Sequence, residues 1–147
     1  MLITIFLGLL VIGITVVIQG YGTYFWMMKF QDYHKRMTVD QFRRRTLRIL
    51  IFTASFLIFM HLIQSGVWAG IYVLLPEIDE FENFEKAIYF SLVTFTTLGY
   101  GEITIDSEAR ILAGLEAING IILIGWSTAF MFSIVQEIIR HTESKPD

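Results

Sequence analysis

The chain has 147 residues, 54% of them apolar, no cysteine and a formal net charge of −3. That length holds about one domain, its apolar excess suits a bilayer better than water, and the missing cysteines exclude a disulfide scaffold. The small net charge hides a strong asymmetry along the chain and so says little about partners; no nucleic-acid partner is expected. Residues 1–28 carry no charge, more than the roughly 20 residues a helix needs to cross the hydrocarbon, which predicts a first spanning helix. The start "MLITIFLGLL" lacks a basic region and no small-residue cleavage pattern ends the run, so it reads as a span rather than a leader. Tyr21, Tyr24, Phe25 and Trp26 gather at its end, as aromatic residues do at an interface.

Residues 29–48 hold seven of the eleven bases: Lys29, Lys35, Arg36, Arg43, Arg44, Arg45 and Arg48. Loops rich in Lys and Arg stay in the cytoplasm, so this stretch is expected to be a basic cytoplasmic loop, with the N-terminus outside. A voltage sensor needs charges spaced along a spanning helix, and these are bunched. An interfacial helix touching anionic lipid headgroups through Arg43, Arg44, Arg45 and Arg48 is one reading, with plain orientation by the charge rule the default. A second uncharged run predicts a helix at 49–75, in which His61 and Gln64 read as packing residues and Gly66-x-x-x-Gly70 as a place for close helix approach. From Glu77 to Glu108 eight acids face the single base Lys86, which marks the external side.

Within that acidic segment lies "AIYFSLVTFTTLGYG", residues 87–101, without a charge. As a helix it covers about 22 Å, too short to span, and it ends in glycines. Such a segment packs in a core or re-enters the membrane. Non-helical backbone at membrane depth survives only where protein or a watery path surrounds it, so the tail must line something polar. Gly99 and Gly101 can adopt positive φ freely; alternating handedness would point successive carbonyls the same way, as a cation site requires. A third span is predicted at 110–139, followed by a short cytoplasmic tail at 140–147. Glu116 is its only formal charge between residues 111 and 136. It pairs near the residue 97–101 loop and holds it, or lies in the headgroup region near Arg110.

Thr96-Thr97-Leu98-Gly99-Tyr100-Gly101-Glu102 resembles the signature of potassium-selective channels, usually Thr-Val-Gly-Tyr-Gly-Asp. Leu98 stands where valine is commoner, and Glu102 replaces aspartate, adding a methylene at the outer mouth. The earlier Gly20-Tyr21-Gly22 lacks the preceding threonines and ends a spanning run, so it reads as an interface feature. The resemblance covers residues 49–139, the pore domain of a prokaryotic two-transmembrane potassium channel, and leaves the first helix outside. It implies an all-α integral membrane fold in the plasma membrane: three transmembrane helices plus a re-entrant pore helix at 84–95 and a filter at 97–101, assembled as a homotetramer. Carbonyls of Thr97, Leu98, Gly99 and Tyr100, with the Thr97 hydroxyl, would then bind K⁺, which is the permeant ligand; no cofactor is implied. Thr96, Glu102 and Glu116 would support the filter, and Gly120 and Gly125 fall where such channels place hinge glycines, with small-residue packing the alternative. Counting at helical spacing from Gly120, the face through Ile121, Ile124, Thr128, Phe132 and Gln136 should look at the axis, with Phe132 the candidate gate. The implied function is passive, potassium-selective conduction. A weakly selective cation channel and a non-conducting membrane subunit remain open. No nucleophile with a base or phosphate loop is visible, so the chain is not read as an enzyme.

Overall fold

A computed structural model describes residues 1–35, 39–76, 78, 80–81 and 83–143, and side chains for all of these except 34–35, 39–43 and 141–143. Four helices follow in order: α1 Leu2–Lys35, α2 Val39–Leu74, α3 Phe84–Phe95 and α4 Arg110–Glu143. Three of them contain stretches long and apolar enough to cross a membrane, Leu2–Tyr33, Arg44–Leu74 and Arg110–Arg140.

The stretch expected as a basic loop is largely helical, because α1 continues to Lys35 and α2 starts at Val39. Residues 29–48 contain no Gly or Pro and are rich in Lys, Gln and Arg, which favour helix; the charges end an apolar span without ending the helix. The spacing Thr38-x-x-Gln41 ahead of α2 is a helix-start signal. Residues 36–38, with Arg36, and the Arg43 side chain lie outside the described residues, as do residues 144–147 of the tail.

Helix α3 lies against α2 and α4, while α1 contacts α2 and α4 and, among the described residues, not α3. The first helix therefore backs the unit that carries the short helix. One core surrounds α3: Trp68 and Tyr72 of α2, Phe81 of the loop, Phe90 and Phe95 of α3, and Leu112 and Leu123 of α4. Its rings interlock, with Tyr72, Phe81 and Phe90 meeting at centroid separations of 5.2 to 5.6 Å. A second core at the other end joins Phe30 of α1, Ile49 and Leu57 of α2, and Phe130, Ile134 and Ile138 of α4.

In hydrocarbon, apolar contact alone gives helices little reason to prefer each other over lipid, so polar bonds matter more. Helix α1 docks through a buried stripe at four-residue spacing, Val11, Thr15, Gln19 and Thr23. Asn119 donates to the Thr15 hydroxyl at 2.8 Å; Gln19 donates to the Ser127 hydroxyl at 2.9 Å and accepts from Gln64 at 2.8 Å. The Met1 ammonium lies 2.7 Å from Glu108, so the start of α1 sits beside the loop leading into α4.

Candidate functional site

Helix α3 starts with Asn83 as its cap, the side-chain oxygen accepting from the Lys86 backbone N–H at 3.0 Å. It has to stop after Phe95, because the next residues turn out of the helix. Leu98 N–H donates to Val93 O at 2.9 Å, and Thr97 N–H donates to Thr94 O at 2.9 Å. These paired bonds are the Schellman termination, in which the first residue past the cap is left-handed and usually glycine. Here that residue is Thr97, at φ 59°. A β-branched side chain in this region costs on the order of 1–3 kcal/mol, so the position is strained and held by its surroundings.

The left-handed geometry then recurs at every second residue. Gly99 has φ 56° and Gly101 φ 78°, while Leu98 and Tyr100 between them are not in the positive region. Alternation of this kind swings successive peptide planes so that their carbonyls can share one side. The strand is held at its outer end, where the Tyr89 hydroxyl of α3 donates to Glu102 at 2.8 Å. That bond also raises the Tyr89 phenol above its ordinary pKa. The extra methylene of Glu102 thus reaches a partner on α3. A cavity of about 340 Å³ adjoins the strand, lined in part by Tyr89, Val93, Tyr100 and Arg110.

Glu116 is fully buried and bonded within the chain. The Tyr72 hydroxyl donates to it at 2.6 Å, and Ser91 of α3 also contacts its carboxyl. Ser91 further contacts the Ser65 backbone oxygen at 2.7 Å, so this one hydroxyl ties α3 to both α2 and α4. The carboxyl sits one turn of α3 behind the turn that leads into the strand. Sequence reasoning named Glu116 but not its partners Tyr72 and Ser91, which are distant in the chain and ordinary in type.

Gly120 lies directly under the end of α3. A Cβ built there would fall 1.8 Å from the Phe95 carbonyl oxygen, a backbone atom, so the glycine admits the close approach of two helices. Around Gly125 nothing lies within 4 Å of such an atom. The His61 ring of α2 lies tilted against Phe95 at 5.7 Å between ring centroids, and its Nδ1 meets Gln64 Oε1 at 2.9 Å. His61 is thereby a packed residue within a polar chain that runs from α1 to the end of α3.

The two faces of α4 divide cleanly. Glu116, Gly120, Leu123, Ser127, Phe130 and Ile134 are buried within the chain, whereas Ile121, Ile124, Thr128, Phe132 and Gln136 are exposed on it. Thr97, Leu98, Gly99, Tyr100 and Gly101 are exposed as well, as is Thr96, whose hydroxyl donates back to Leu92 O at 2.7 Å.

A short helix ending in a strand of alternating handedness, cradled by two long apolar helices, defines a membrane pore unit. The chain belongs to the ion channel family, whose model matches residues 46–137, from the start of the apolar part of α2 almost to the end of α4. Helix α1 falls outside that match. No curated protein and no solved structure matches the chain. It is thus a multi-pass membrane protein of the ion channel family.

Proposed function

We propose that four copies of this chain surround one axis and pass potassium down its electrochemical gradient. The observation that carries this reading is the alternation of φ through Thr97, Leu98, Gly99, Tyr100 and Gly101 at the capped end of α3. Four such strands stack rings of carbonyls from Thr97, Leu98, Gly99 and Tyr100, with the Thr97 hydroxyl below them. Each oxygen replaces one water of the dehydrated ion. A single strand supplies one wall, so a lone chain is incomplete. Leu98 and Tyr100, 56% and 62% exposed on the single chain, leave surface for neighbouring subunits to cover.

The same geometry supports the rest of the proposed assembly. The exposed face of α4 lines the path below the filter, with Thr128 wetting the cavity and four copies of Phe132 forming a constriction that closes by dewetting. The C-terminal end of α3, its dipole favouring a cation, faces that cavity. Thr96, Glu102 and Glu116 brace the filter: Glu102 from Tyr89, and Glu116 through Tyr72 and Ser91. Gly120 serves as a packing glycine at the end of α3, and Gly125 is the freer place to bend. The acidic loop and the N-terminus face outside, consistent with the Met1–Glu108 contact, and the basic stretch with Arg43, Arg44, Arg45 and Arg48 lies on anionic lipid in the cytoplasmic leaflet of the plasma membrane.

Purified protein in liposomes tests this. The expected result is a barium-blocked flux that reverses at the potassium equilibrium potential in potassium against sodium gradients. Reversal near zero assigns a weakly selective cation pore, and an intact tetramer without flux assigns a non-conducting subunit.

A further inference from the structure

The helix outside the family match creates a cleft that the pore unit alone does not have. Between the last apolar turns of α1 and the first of α2 lies a cavity of about 310 Å³, lined by Trp26, Lys29, Phe30, Tyr33, Arg48 and Phe52 among others. It sits where the apolar stretches Leu2–Tyr33 and Arg44–Leu74 both terminate, the depth at which acyl chain gives way to headgroup.

Its walls are held by their own bonds. The Trp26 indole N–H donates to the Thr53 hydroxyl at 3.0 Å, and the ring stacks on Phe56 at 4.4 Å. Arg45 donates to the Tyr33 hydroxyl at 3.2 Å, crossing from α2 to α1 at the outer rim. The two cations that line the cavity are not engaged in this way. Among the described residues neither Lys29 nor Arg48 has a carboxylate within 4 Å, and Lys29 rests over the Phe25 ring at 5.6 Å. Asp32, one turn beyond Lys29, is exposed and does not pair with it.

We propose that this cleft binds one anionic glycerophospholipid, its phosphate between Lys29 and Arg48 and an acyl chain lying along Ile49 and Phe52. Charge and depth choose the occupant. Two unpaired cations at the polar end fit a phosphate, which the planar guanidinium of Arg48 grips with two parallel N–H donors and Lys29 meets as a point charge. The aromatic and aliphatic walls below fit the chain that hangs from it. The site rests on the reading of α1 and α2 as spanning helices with their basic ends in the cytoplasmic leaflet, and not on potassium selectivity.

Lipid retention tests this without any ion flux. Full-length protein is purified from vesicles of phosphatidylcholine doped with phosphatidylglycerol, and bound lipid is counted by native mass spectrometry. Lys29→Gln with Arg48→Gln is expected to lower phosphatidylglycerol affinity about thirtyfold, at about 1 kcal/mol for each base. The comparator, Arg140→Gln with Lys145→Gln, removes the same charge after the third span and is expected to retain the lipid. Equal retention in the Lys29 and Arg48 variant overturns the proposal, as does equal loss in the comparator, which reduces the effect to general surface attraction. Displacement of the lipid by millimolar inorganic phosphate overturns the lipid assignment in favour of a bare phosphate site. If the double variant does not elute like the unmodified protein, Arg48→Gln alone decides: lowered phosphatidylglycerol retention upholds the site, and unchanged retention refutes it.

Discussion

Replacing Gly120 with alanine puts a methyl carbon 1.8 Å from the Phe95 carbonyl oxygen, about 1.6 Å short of the separation at which ordinary contact begins. The obstructing atom is backbone, so no side chain can swing aside. Either α4 retreats or the end of α3 lifts, and with α3 move Thr96 and Thr97, the first residues of the strand. Overpacking of a fitted interior costs about 1–3 kcal/mol, and a backbone obstruction places this substitution at or above the upper figure. About 3 kcal/mol in a chain of this size lowers Tm by roughly 6–12 °C. A hinge predicts the opposite sign for stability, because alanine in a helix is favoured over glycine by about 1 kcal/mol. Gly125→Ala provides the comparator, since nothing in the chain lies within 4 Å of the added atom. Thermal melting followed by size-exclusion chromatography, with flux in liposomes on the same samples, separates the two. Gly120→Ala is expected to melt lower and conduct poorly, and Gly125→Ala to melt as the unmodified protein or slightly higher. A Gly120→Ala protein that melts no lower and conducts normally refutes the packing argument.

Three further expectations concern the residue 97–101 strand and the helices behind it. Tyr72→Phe removes one donor to Glu116 and is expected to cost about 2 kcal/mol in chemical denaturation, whereas Glu116→Ala, which leaves the Tyr72 hydroxyl without its acceptor and the Ser91 hydroxyl with only the Ser65 oxygen, costs more. Equal melting of Tyr72→Phe and the unmodified protein would contradict the bond. Tyr89→Phe frees Glu102 at the outer end of the strand and is expected to hasten the decline of current during sustained opening, read in bilayer recordings; an unchanged time course counts against that brace. Phe132→Ala leaves the chain's own packing intact, because the ring is 62% exposed on it, and is expected to raise open probability. Gating that stays the same would remove Phe132 as the constriction.

The three spans are written in the sequence as gaps between charges, and the short helix as an apolar segment too brief to cross. The glycines at 99 and 101 announce positive φ, since few other residues reach it cheaply. Thr97 does not: nothing in a threonine advertises a left-handed backbone, and its conformation comes from the bonds that end α3. Residues 29–35 and 39–48 are helical although their charges suggest a loop, because charge decides where a helix leaves lipid and not whether it continues. Docking of α1 was missed for a different reason. Thr15 and Gln19 stand four apart in a polar stripe, but their partners Asn119, Ser127 and Gln64 lie 45 to 108 positions away in the chain. A one-dimensional pattern can show that a face seeks a partner without naming it.

The fastening of α1 has an evolutionary and engineering meaning. A helix that lies behind the pore unit, docks on it through a polar stripe and a shared apolar core and belongs to the same chain is in effect an accessory subunit fused to its host. Covalent linkage holds it near the pore at an effective concentration in the millimolar range, so weak contacts suffice where a free helix would drift off into the bilayer. Its stoichiometry is then fixed at one per pore helix, and in the proposed four-fold assembly any signal it receives from the surrounding membrane arrives four times at each channel.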